Sequence, residues 1–125
     1  MANSGKRGLA RLVAALRYSY LGFRAAWSGE EAFRQEVLLT LALLPLALWL
    51  GESPLQRALL LAVCLLVLIV ELLNSAVEAA VDRVGLQHDP IAARAKDMGS
   101  AAVLLALVMA ALVWAGVILQ RFASG

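Results

Sequence analysis

The chain has 125 residues, 62% of them hydrophobic, with a mean hydropathy of +0.82, against roughly 45 to 50% apolar content in soluble domains. A surface that faces water on all sides is excluded, and the length leaves room for one domain. The formal charge is only +2, but Lys6, Arg7, Arg11, Arg17, Arg24 and Arg34 all fall before residue 36. That distribution points to a membrane surface and away from nucleic acid. The single cysteine, Cys64, lies inside the apolar run Ala58 to Val70, so no intrachain disulfide forms and an inert buried thiol is expected. A cleaved signal peptide is not expected, because the first dozen residues carry charges and glycines without an apolar core.

In chain order, the first element is a helix over about residues 6–27. Leu9, Leu12, Val13, Leu16, Tyr20, Phe23 and Trp27 recur at helical spacing and share one face. Lys6, Arg7, Arg11, Arg17 and Arg24 fall off that face. A basic amphipathic helix with an aromatic-rich apolar side is the pattern of a helix lying in the membrane interface. Packing on a soluble partner is the alternative.

After the Ser28-Gly29 break, Glu30 and Glu31 suit a helix start, although Glu31 is equally well explained as an ordinary cap. From Val37 to Leu50 every residue except Thr40 and Pro45 is strongly apolar. A first span over about 30–50 follows, with a kink expected at Pro45. Gly51-Glu52-Ser53-Pro54 reads as a tight turn with Pro54 in the first turn of the next helix. That helix runs over about 54–84, is apolar through Val70, and continues past the hydrocarbon core until Gly85 stops it. A third span covers about 97–120 and ends at Arg121. The expected architecture is therefore an all-α membrane protein, with one interfacial helix, three transmembrane helices and no internal repeat. Lys and Arg outside the spans place the amino terminus and the 82–97 loop in the cytoplasm and the carboxyl terminus on the opposite side.

Glu71, Asn74, Glu78 and Asp82 are spaced by three, four and four, which puts them within roughly 80° of arc on one helix face. A carboxylate at membrane depth costs several kcal/mol unless paired, metal-bound or hydrated, so Glu71 is a candidate functional group. For Asp82, a membrane-edge charge or helix-helix contact explains the residue equally well. Glu30, Arg34, Gln35 and Glu36 form a second polar group at the start of the first span, and Arg94, Lys96, Asp97 and Ser100 form a third at the start of the last. Hard oxygen ligands on separate helices suit Mg²⁺, completed by phosphate and water, and nearby Lys and Arg suit a polyphosphate. A zinc site is not expected, since His88 stands alone in a loop. No Walker A loop or nucleophile elbow is present.

The segment from Val70 to Arg83, VELLNSAVEAAVDR, resembles the signature of the prokaryotic diacylglycerol kinase family. Ala25-Ala26-Trp27, Ala32-Phe33-Arg34-Gln35-Glu36 and the run from Arg94 to Ala102 are similar to further family motifs in order and spacing. The resemblance extends from about Arg11 to the end of the third span, while Leu86 to Ile91 match no such pattern. It implies a homotrimer in the bacterial inner membrane that transfers the γ-phosphoryl group of MgATP to diacylglycerol, making phosphatidate. By the resemblance, Glu71 is the general base, and Glu30 and Glu78 are metal ligands. Arg11, Tyr18, Lys96 and Asp97, with Glu30 and Glu78, contact the nucleotide. Arg24, Trp27, Glu36, Asn74, Asp82 and Ser100 support the site or the lipid pocket. Physical expectation runs parallel: phosphoryl transfer needs positioning, charge neutralisation and a proton acceptor, and burial should strengthen the hold of Glu71 on a proton. A kinase for a polyisoprenoid alcohol such as undecaprenol is the near alternative. A small oligomeric transporter or proton channel is the alternative of a different class.

Overall fold

Continuous apolar runs bounded by glycine and proline give helices whose backbone bonds are all internal, as a hydrocarbon environment demands. The computed structural model describes residues 7–85 and 89–123. Its helices are α1 (Leu9–Gly29), α2 (Glu31–Leu50), α3 (Pro54–Val84) and α4 (Pro90–Ala123), and there is no strand among the described residues. α2, α3 and α4 are each long and apolar enough to cross a membrane. The 20 residues of α2 span about 30 Å, the thickness of a hydrocarbon core. The 31 of α3 span roughly 46 Å, so one end of α3 must extend into the headgroups and water. Lys6 and the expected loop residue His88 lie outside the described residues.

α1 leaves Leu9, Leu12, Val13, Leu16, Tyr20 and Phe23 exposed, as expected of a face that meets lipid or another copy of the chain. The break between α1 and α2 falls at Glu30, which is extended (φ −124°, ψ 109°), and not at Ser28-Gly29. Ser28 Oγ bonds back to the Arg24 carbonyl at 2.9 Å and holds that turn helical. Arg34 Nη1 donates to the Trp27 carbonyl at 2.6 Å, satisfying an end group of α1 that has no helical partner. α2 continues through Pro45.

At the Gly51 end the chain turns tightly. Ser53 Oγ accepts from Gln56 N–H at 3.1 Å, Pro54 opens α3, and Arg57 Nε donates to the Leu48 carbonyl at 3.1 Å. A Cβ on Gly51 would collide with Arg57 Cγ, so a larger residue there would force the Arg57 side chain to shift. Above this turn Ala47, Leu50, Leu60 and Val117 form the buried core, flanked by Leu61, Val113 and Trp114. Trp114 Nε1 donates to the Leu60 carbonyl at 3.2 Å, and Gln56 Nε2 donates to Gln120 Oε1 at 3.1 Å. Arg121 lies 4.7 Å from the centre of the Trp49 ring, an aromatic and cationic belt of the kind found at membrane interfaces.

α3 packs most extensively on α4 and next on α2, while α1 touches chiefly α2. At its other end α3 stops at Gly85, whose φ of 77° is the left-handed conformation open to glycine. α4 starts at Pro90, well before the position near 97 expected from hydropathy. Asp89 Oδ1 accepts from Ile91 N–H at 2.8 Å and the Asp89 carbonyl accepts from Ala93 N–H at 3.0 Å. That is a capped helix start with proline at its first position. Arg94, Lys96 and Asp97 therefore sit on a helix beside the end of α3.

Candidate functional site

α3 rises from Pro54, and 17 residues later, about 26 Å along its axis, it presents Glu71. Glu71 is 6% exposed and is the one charged side chain buried among the described residues. Its carboxyl group and that of Glu36 on α2 are near enough to interact electrostatically. The Glu36 Oε1 atom is buried with no hydrogen-bond partner among the described residues. Two acidic groups from different helices thus meet in the apolar bundle, where a lone carboxylate would be costly.

One turn further, Asn74 Oδ1 is also buried without a partner. It faces Gly99 of α4 so closely that a Cβ on Gly99 would collide with it. The absent side chain at position 99 is what lets α4 approach the polar stripe of α3, as small residues do in membrane bundles. Beyond Asn74 come Glu78 and, at the exposed end, Asp82. Lys96 Nζ of α4 is 2.9 Å from Asp82 Oδ1, and the field of Glu78 also acts on this ammonium. The stripe therefore runs from a buried acid, past an amide, to a solvated ion pair.

Glu30 occupies a different face. With Ser19, Gly22 and Ala26 of α1 it lines a cavity of about 490 Å³ closed on the other side by Ser75, Ala76 and Ala79 of α3. Ser75 Oγ is a third buried atom without a hydrogen-bond partner among the described residues. Sequence reasoning gave Ser75 no role, because it stands next to Asn74 but off the acidic stripe. An apolar groove of about 600 Å³ runs between Tyr20, Phe23, Arg24 and Trp27 of α1, Phe33 and Val37 of α2, and Leu65, Leu68, Ile69 and Leu72 of α3. Arg24 and Trp27 thus both line this apolar groove. Neither Glu71 nor Glu78 lines either hollow.

Glu71, Glu36, Asn74, Glu78, Asp82 and Lys96 are thus brought to one continuous region of α2, α3 and α4. Arg11 is exposed on α1, and Tyr18 lines a shallow hollow made by α1 alone, with Arg17 and Val13. Asp97 and Ser100 lie on the exposed surface of α4. Of the two residues expected as metal ligands from the resemblance, Glu30 lines the cavity between α1 and α3 and Glu78 does not. No cluster of three or more acidic, histidine or cysteine side chains is assembled among the described residues. A cation such as Mg²⁺ needs only one or two carboxylates, with phosphate and water completing its shell.

The chain matches the prokaryotic diacylglycerol kinase family profile over residues 17–118. It is 55% identical to a diacylglycerol kinase of Pseudomonas aeruginosa over 115 residues, covering 92% of this chain and 94% of that protein. It is 46% identical to a diacylglycerol kinase of Escherichia coli, covering 98% of this chain and 99% of the relative. A diacylglycerol kinase of Haemophilus influenzae is 43% identical, over 89% of this chain and 94% of its own length. With its three membrane-length helices, its buried Glu71 and this similarity from end to end, the chain belongs to the prokaryotic diacylglycerol kinase family.

Proposed function

We propose that the protein transfers the γ-phosphoryl group of ATP to the free hydroxyl of diacylglycerol, producing phosphatidate and ADP at a cytoplasmic membrane. The observation that carries this reading is Glu71: a charged side chain buried at membrane depth, on the same helix face as the water-exposed Asp82–Lys96 pair. Eleven residues, about 16 Å of helix, separate the two ends of the stripe. That distance suits a lipid hydroxyl reaching Glu71 from the bilayer and a polyphosphate reaching Lys96 from water.

In this mechanism Glu71 accepts the hydroxyl proton. The hydroxyl oxygen forms a bond to the γ-phosphorus while the bond from that phosphorus to the bridging oxygen breaks, and ADP leaves with the electron pair. Glu36 holds the Glu71 carboxyl in place, and Asn74 fixes the approach of α4. Lys96 meets the phosphates, and Glu30 and Glu78 are the residues that would hold Mg²⁺. When bound, the cation neutralises phosphate charge in the transition state. The apolar groove beside Arg24 and Trp27 accommodates acyl chain.

The complete site is assembled between copies, in a trimer on the family resemblance. Two observations support this: the Glu30 cavity is not lined by Glu78, and the apolar groove is not lined by Glu71. The proposed topology has the amino terminus in the cytoplasm and the carboxyl terminus outside it, following the Lys and Arg asymmetry. The relatives described above are named diacylglycerol kinases, which supports diacylglycerol over undecaprenol as the acceptor. Purified protein in detergent, given ATP and Mg²⁺ with either lipid alcohol, tests the assignment. Phosphatidate formation well above undecaprenyl phosphate formation is expected; the reverse preference would move the protein to the polyisoprenoid substrate, and no lipid product would remove the kinase reading.

A further inference from the structure

On the reading of the exposed end of the stripe as the nucleotide site, we propose that Asp82 is a specificity-determining residue. By pairing with Lys96, it makes the enzyme select metal-bound nucleotide over metal-free nucleotide.

Lys96 is the only lysine besides Lys6. Its ammonium is bonded to Asp82 Oδ1 at 2.9 Å and also experiences the negative charge of Glu78, one turn away on α3. The local sum over Glu78, Asp82 and Lys96 is one negative charge. Arg83 and Arg94, the other cations at these helix ends, are exposed, as is Asp97. A metal-free ATP carries about four negative charges and meets a lysine already neutralised, next to a surplus carboxylate. Metal-bound ATP brings two fewer negative charges and a cation that the Glu78 carboxylate can ligate. The surplus negative charge that repels one form therefore attracts the other.

The pair is well suited to this task because it is solvated. Its side chains are 42% and 61% exposed, in the regime where an ion pair contributes little to folding and exchanges partners readily. Phosphate oxygens can replace Asp82 at Lys96 without a buried charge being stranded. Asp82 is then left as a second negative charge facing the metal-bearing side of the nucleotide. Asp82 thus acts through Lys96 and through the field at the site, with no contact to the reacting atoms.

The test is equilibrium binding of a fluorescent ATP analogue to the full-length protein in detergent, in excess EDTA and in saturating Mg²⁺. The variants are Asp82→Asn, Asp82→Glu, Lys96→Met and the Asp82→Asn/Lys96→Met pair, with Glu52→Gln at the distant turn as a charge control. Asp82→Asn should tighten metal-free binding relative to metal-bound binding by about fivefold, the upper range for an exposed pair. Asp82→Glu should keep the wild-type ratio, and in the Lys96→Met background the effect of Asp82→Asn should fall below about twofold. An unchanged ratio in Asp82→Asn, with Lys96→Met weakening both nucleotide forms, would overturn the role of Asp82 and leave the nucleotide site standing. Unchanged binding in Lys96→Met would remove the nucleotide reading of this cluster, and the role of Asp82 with it.

Discussion

Glu36 on α2 and Glu71 on α3 bring two carboxyl groups into electrostatic contact inside the bundle. If Glu71 takes the lipid hydroxyl proton, Glu36 governs where that carboxyl points. Glu36→Gln preserves shape and hydrogen-bonding capacity, and a fall in turnover of about tenfold is expected. Glu36→Ala leaves Glu71 without its neighbour and should cost about a hundredfold, within the range by which positioning alters acid-base catalysis. Steady-state kinetics should place both losses in kcat, with the KM for ATP little changed.

Gly99 and Asn74 are coupled by shape. Since a Cβ at position 99 would collide with Asn74 Oδ1, Gly99→Ala should destabilise the protein by about 1 to 3 kcal/mol, the usual penalty for overpacking. Adding Asn74→Ala removes the obstructing atom and should restore most of that stability while activity stays low. Thermal unfolding in detergent and a lipid phosphorylation assay on the three variants report the two effects separately.

The lengths and ends of α2 and α3 were legible in the sequence because they rest on local signals: continuous apolar residues, the Ser53-Pro54 start and the Gly85 stop. Hydropathy marks only the apolar part of α4, whereas the helix itself begins earlier, where the Asp89 cap and Pro90 start it in polar sequence. The acidic stripe followed from spacing along a single helix. Its partner did not: Glu36 meets Glu71 only through the rotation of α2 against α3, which no periodicity within either helix specifies. Arg11 and Tyr18 rest on the family resemblance alone.

Glu78 should set the metal requirement. Glu78→Gln removes a hard anionic ligand while keeping the side chain's size, so more Mg²⁺ should be needed to reach half-maximal activity and turnover should fall severely, by about a hundredfold or more. A magnesium titration at fixed ATP, with total Mg²⁺ always above ATP, measures this. Wild-type behaviour across the titration would show that Glu78 is not a ligand.

Sharing of the site between copies predicts complementation. Glu71→Gln and Glu30→Gln should each be inactive alone, yet mixed oligomers assembled from the two should recover activity, because some interfaces receive an intact residue from each side. Co-assembly in detergent over a range of ratios checks this. Mixed oligomers without activity at any ratio would place Glu30 and Glu71 of one site in the same chain.

The most direct measurement is single-turnover transfer of labelled γ-phosphate from ATP to diacylglycerol by the wild type and by Glu71→Gln, at saturating lipid and Mg²⁺. As the proton acceptor, Glu71 accounts for about 10² to 10⁴ in rate, so the variant should lose transfer by at least a hundredfold while binding nucleotide as the wild type does. Transfer at the wild-type rate in Glu71→Gln would contradict the account, since the buried carboxylate would then have no part in the chemistry.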